Sequence, residues 1–179
     1  MGIADKIIPH YTYDDWVHWE GAWELIEGHP IAMSPSPVPL HQRVAAELRT
    51  ELVLSLRKAK CKNCRVYDPL DYKIFNDTIL VPDIMIICGE VKKKYLDFPP
   101  SLVVEILSPS TALRDRHTKY ELYQQQGVKY YLIVDADKKN IEVHMLQEAQ
   151  YCLQEVNNSF VFELNNDCRI TPDLRHVFD

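Results

Sequence analysis

Ser101-Leu102-Val103-Val104-Glu105-Ile106-Leu107 is a short, continuous apolar run with one carboxylate inside it. Such a run suits a strand buried on both faces of a sheet. Around 114–126 the pattern becomes helical and stops at Gly127, a good helix terminator. A second apolar strand follows at 129–135. Strand, helix, strand at this spacing predicts a crossover joining two parallel strands. Upstream lies a related run, Ile79-Leu80-Val81-Pro82-Asp83-Ile84-Met85-Ile86-Ile87, read as one strand and again holding a single acid.

Working outward, strands are predicted at 65–67 and 72–75, with Asn76-Asp77 as a hairpin turn. From about 40 to 59, Val44, Ala45, Leu48, Leu52 and Leu56 follow the helical period, and His41 falls on that stripe near its start. Residues 34–39 are too rich in proline for regular structure. Before them, strands at 23–26 and 31–33 flank a Glu27-Gly28 turn, and Thr12 with Asp15 opens a short helix. Segments 141–146, 151–156 and 160–163 read as antiparallel hairpins. The pattern defines an α/β (α+β) class with a mixed β-sheet flanked by helices, one domain over residues 1–179.

A net charge of −6, with the basic residues spread along the chain apart from one short run, does not support a tight nonspecific DNA binder. A metal site also gathers acids, which leaves a nuclease open. The run Lys92-Lys93-Lys94 reads as a solvated loop. No basic region followed by an apolar stretch marks a leader, and the longest apolar stretch, 79–88, is too short to span a bilayer. Five cysteines without a leader predict free thiols in a reducing cytoplasm. Cys61 and Cys64 form a C-x-x-C pair, but zinc needs four ligands and no second pair follows at suitable spacing.

Asp83 and Glu105 carry the chemistry. Burying an unpaired carboxylate costs several kcal/mol, so each needs a cation, a strong donor or a raised pKa. Two carboxylates on neighbouring strands repel unless a metal ion neutralises them, and Mg²⁺ or Mn²⁺ suits a pair of oxygen ligands. On the following helix Asp115, Lys119, Leu122 and Gln126 share one stripe, which Leu122 should turn inward. Lys119 then faces the strand of Glu105, or else pairs with Asp115 on an exposed surface. His41 is either a structural histidine at the end of a core stripe or a contact to substrate or a metal-bound water. Glu47 and Glu51 read as solvated, and Ser108 and Ser110 as turn formers.

Several of these residues carry a resemblance. Val81-Pro82-Asp83-Ile84, then Pro100–Thr111 around Glu105, then Asp115, Lys119, Tyr120, Tyr123 and Gly127–Asp135, are together similar to the Uma2 family, restriction-endonuclease-like proteins common in cyanobacteria. Glu24–Gly28, Met33–Pro37 and His41-Gln42 are similar to the family's opening segment. The resemblance implies a PD-(D/E)XK nuclease fold and divalent-metal-dependent hydrolysis of phosphodiester bonds in nucleic acid. Asp83 and Glu105 take the positions of the two acids, with the Ile106 backbone carbonyl as a further metal ligand. Leu107 stands where that pattern has lysine, and Lys119 is the residue the resemblance offers in its place. By analogy with nucleases of this fold, a homodimer is also expected.

Three readings follow for function: a Mg²⁺- or Mn²⁺-dependent endonuclease, an inactive member of the fold acting as a binding or assembly module, and a metal-dependent phosphohydrolase acting on small molecules. No phosphate-cradling glycine loop supports the third.

Overall fold

The computed structural model describes residues 9–33 and 38–179, so most of the proline-rich segment lies outside the described residues. Helix α1 (Tyr13–Trp16) opens at Thr12, whose backbone N–H donates to Asp15 Oδ2 at 2.9 Å. Strands β1 (Trp23–Ile26) and β2 (His29–Ala32) turn on Glu27 and Gly28, both at positive φ. Helix α2 (Pro39–Lys58) starts with proline at its first position, where the missing N–H costs nothing. Strands β3 (Cys64–Tyr67), β4 (Tyr72–Phe75), β5 (Thr78–Leu80), β6 (Ile84–Cys88) and β7 (Leu102–Ile106) follow. A helical rod comes next: α3 (Ala112–Arg114), a π-helical segment (Asp115–Lys119) and α4 (Tyr120–Gln125). Strands β8 (Tyr130–Asp135), β9 (Asn140–Gln147), β10 (Gln150–Gln154), β11 (Phe162–Asn165) and β12 (Cys168–Ile170) complete the chain.

The central sheet has the order β10-β9-β8-β7-β6-β3, and β7 and β8 are its parallel pair, as the strand–helix–strand spacing predicts. On one face Val44, Leu48, Leu52 and Leu56 of α2 pack with Ile84, Val104, Leu132 and the β11–β12 hairpin. On the other, Leu122 and Tyr123 of α4 pack with Met85, Val103, Tyr131 and residues of the smaller β2-β1-β5-β4 sheet. Leu48 is fully buried. Leu48→Ala is therefore expected to cost about 2–5 kcal/mol, seen as a lower guanidinium midpoint with an unchanged slope.

Three sequence expectations need correction. Residues 79–87 are not one strand, because β5 and β6 lie in different sheets with Val81-Pro82-Asp83 between them. Proline cannot donate to a ladder, so the run breaks there and Asp83 is left where the two sheets part. At the C-terminal end β10 pairs antiparallel with β9 as expected, but the last hairpin joins β11 to β12, a strand missing from the sequence expectation. Finally, the cysteines are not all free thiols. Cys61 bonds Cys168, Cys64 bonds Cys88, and Cys152 alone remains free and exposed. Cys64 and Cys88 stand directly opposite in the β3–β6 ladder, a partnership that only the folded register reveals. The inference from cysteine count to a reducing compartment loses its basis. Among the described residues no helix is long and apolar enough to cross a membrane.

Candidate active site

Strands β6 and β7 pair with Ile84 opposite Val104 and Met85 opposite Val103. Continued by one residue, that register sets Asp83 opposite Glu105 at the sheet's end. Odd-numbered residues of both strands face α4: Met85 and Ile87 from β6, Val103 from β7. Alternation therefore aims Glu105 at the helical rod, while Asp83, just before β6, meets His41 of α2 at 3.4 Å. Asp83 Oδ2 accepts the Ile106 N–H at 2.8 Å, which ties it to the end of β7. Leu107 packs into this same second cluster as an apolar side chain.

The rod supplies the cation. Asp115 and Lys119, the two ends of its π-helical segment, are both almost wholly buried. Lys119 Nζ donates to Glu105 Oε1 at 2.9 Å and lies 2.8 Å from Glu24 Oε1 and 3.5 Å from Asp115 Oδ1. Tyr123 Oη donates to the same Glu105 oxygen at 2.8 Å. Glu24, fully buried in β1, also accepts the Val81 N–H at 2.9 Å, and its other oxygen lies 3.5 Å from Arg114 Nε. Tyr131 Oη donates to the Asp115 carbonyl at 2.8 Å, fixing the π-helical segment to β8. Such segments often occur at functional sites.

The electrostatics follow from burial. Glu105 is pushed well above the ordinary carboxylate range by desolvation, only partly opposed by Lys119. Asp115 is raised for the same reason. Burial alone would lower the Lys119 ammonium, but Glu105, Glu24 and Asp115 outweigh it and hold its pKa above the usual lysine value. His41 Nε2 lies 3.4 Å from Asp83 Oδ2, and that contact raises the imidazole against the opposing effect of burial. Among the described residues, Glu24 Oε2, Asp115 Oδ1 and His41 Nδ1 are buried without a hydrogen bond.

Asp83, Glu105, Ile106, Lys119, Asp115 and His41, all named from sequence, line one cleft of about 390 Å³. Glu24, Arg114 and Tyr123 complete the network; Glu24 and Tyr123 carried the family resemblance but no site role, and Arg114 had none either. Glu24 carried the same signal as the other two acids, a lone carboxylate in Trp23-Glu24-Leu25-Ile26. Among the described residues no three or more His, Cys, Asp or Glu side chains gather closely enough to hold a metal by themselves. Tyr123→Phe removes a donor to a buried carboxylate. It is expected to cost about 1–3 kcal/mol in thermal unfolding, the range for a buried polar group left short of a partner.

The helix-flanked mixed sheet with paired acids at its end defines a restriction-endonuclease-like fold. It is similar over 94% of this chain to a crystal structure from Anabaena variabilis described as "a putative nuclease belonging to DUF820". The match covers 97% of that protein, with a TM-score of 0.73 at 19% identity. The family described as "Uma2: Putative restriction endonuclease" matches residues 11–172, and the chain belongs to that family. No curated protein shows significant similarity to it.

Proposed function

We propose that the protein is a divalent-metal-dependent endonuclease that hydrolyses phosphodiester bonds of nucleic acid. In this reading Asp83, Glu105 and the Ile106 carbonyl hold Mg²⁺ or Mn²⁺. The observation that carries it is the charge imbalance of the network: Asp83, Glu105, Glu24 and Asp115 against Lys119 and Arg114. Burying that surplus is costly unless a further cation or protons neutralise it. Two carboxylates and a carbonyl form an all-oxygen donor set, which suits a hard divalent ion that keeps several waters. When bound, such an ion polarises a phosphoryl oxygen and acidifies a ligated water.

The chain's own residues have distinct tasks. Lys119, pinned between Glu24 and Glu105, places positive charge beside the position a scissile phosphate would take. Asp115 and Glu24 keep that ammonium protonated. His41 is oriented through Nε2 by Asp83, and its Nδ1 is buried without a hydrogen bond.

A second reading, an inactive binding module of the same fold, draws on one observation. Lys119 is already committed to two carboxylates, with a third nearby. One experiment separates the two. Purified protein is incubated with plasmid DNA and with structured RNA under Mg²⁺, Mn²⁺ or chelator. The nuclease reading expects metal-dependent cutting that Asp83→Ala abolishes. Nucleic-acid binding without cutting in any metal supports the module.

A further inference from the structure

Eight of the chain's 20 lysines and arginines fall in two short segments: Arg57, Lys58, Lys60, Lys62 and Arg65, then Lys92, Lys93 and Lys94. All eight are exposed. The β3–β6 ladder brings the segments side by side, with Cys64 opposite Cys88 and the Gly89 N–H donating to the Asn63 carbonyl at 3.0 Å. An acidic protein thus carries two-fifths of its cations in two segments whose strands adjoin at one end of its central sheet, three of them lining the depressions there. The helix dipole accounts for Arg57 and Lys58 in the last turn of α2, but not for the other six.

Two adjoining depressions of about 610 and 280 Å³ lie within this patch and share Lys62, Asn63 and Asn165. Lys60 and Arg65 add to the lining, and Glu90 and Asp167 are its acids. Lys93 pairs with Asp97 at 2.6 Å, and Lys92 lies 4.0 Å from Glu90. Among the described residues no carboxylate pairs with Lys58, Lys60, Lys62 or Lys94. Unneutralised ammonium groups beside side-chain amides form a donor set for phosphate oxygens that reads no base.

Its place in the fold matters as much as its charge. Helix α2 runs 20 residues from Pro39, two before His41 in the cleft, to Lys58, two before Lys60 in the groove lining, and such a helix is about 30 Å long. One turn of B-form duplex is of similar length, about 34 Å. Strand β6 likewise begins beside Asp83 and ends at Cys88 in the groove wall.

We infer that this groove binds the phosphate backbone of duplex nucleic acid, roughly one helical turn from the cleft. The inference rests on the nuclease reading for what occupies the cleft, but its test does not depend on cutting. Binding of a fluorescent duplex of about 30 base pairs is followed by anisotropy in chelator across a series of NaCl concentrations. The probe carries no metal and cannot be cleaved. Lys60→Glu combined with Lys62→Glu is expected to weaken binding at least tenfold and to lower the salt slope by about two, one for each phosphate no longer neutralised. Lys138→Glu with Lys139→Glu makes the same charge change at the β8–β9 turn, away from the patch, and should leave the slope unchanged. Equal weakening in both double variants, or an unchanged slope in the groove variant, overturns the site. Absence of duplex binding by the wild-type chain at low salt overturns it too. Retained cutting of a short oligonucleotide by the groove variant shows that it is folded and leaves the nuclease reading standing whatever the binding result. Failure of the wild-type chain to cut, with the slope change intact, removes the nuclease reading and keeps the groove.

Discussion

Lys119→Met is expected to destabilise the protein by about 3–5 kcal/mol, the cost of removing one partner from a buried ion pair. The substitution keeps length and apolar volume, so the loss isolates the charge. Lys119 lies within 3.5 Å of Glu24, Glu105 and Asp115, all buried. Without it, Arg114 is the remaining cation of the network, and it reaches Glu24 from 3.5 Å. In a chain of this size the deficit corresponds to a Tm fall on the order of 10 °C. Its pH dependence is the sharper signature. Burial already raises Glu105 and Asp115 in the folded chain, and removing the ammonium that opposes that rise raises them further. A carboxylate whose folded pKa exceeds its unfolded value contributes most stability below the unfolded value, about pH 4. That contribution is lost as pH rises through the folded value. The gap between variant and wild type should therefore be widest near pH 8 and narrow towards pH 5. Thermal unfolding at both pH values measures it, and equal gaps would mean that Lys119 does not compensate these carboxylates.

How far the sequence could be read depends on where the signal lay. A carboxylate inside an apolar run is visible without a structure, because the cost of burying it is large and demands an explanation. Asp83 and Glu105 were legible on that ground, and the crossover spacing placed their strands. Lys119 was legible because Leu122, on the same stripe, set the inward face of its helix. What could not be read was partnership. Glu24 reaches Lys119 from another sheet, so only the packing of β1 and β5 against the rod brings it in. The π-helical segment leaves no periodic signature over five residues. The disulfides join residues 107 and 24 positions apart, and their partners depend on a register that composition does not encode. The break at Pro82 had a local cause in view, but a strand-long apolar run outweighed it.

Asp83→Asn should separate folding from function. The amide oxygen of asparagine can still accept the Ile106 N–H that Asp83 accepts at 2.8 Å, so the end of β7 keeps its tether. The substitution also removes one charge from a site with carboxylates in surplus, and Tm should stay within a few degrees of wild type. A neutral amide is a far poorer ligand for a hard divalent ion. Under the proposed metal-dependent reading, losing several kcal/mol of metal-derived stabilisation corresponds to a fall of about 10²–10³-fold in cutting rate, and metal affinity by calorimetry should fall with it. A third readout needs no activity. Asp83 is the main cause of the raised His41 pKa, so the imidazole should titrate lower in Asp83→Asn, as followed by NMR. These outcomes divide the possibilities. A lowered His41 pKa with unchanged metal affinity would confine Asp83 to orienting the histidine. Unchanged cutting with weakened metal binding would separate the reaction from the metal site proposed at Asp83 and Glu105.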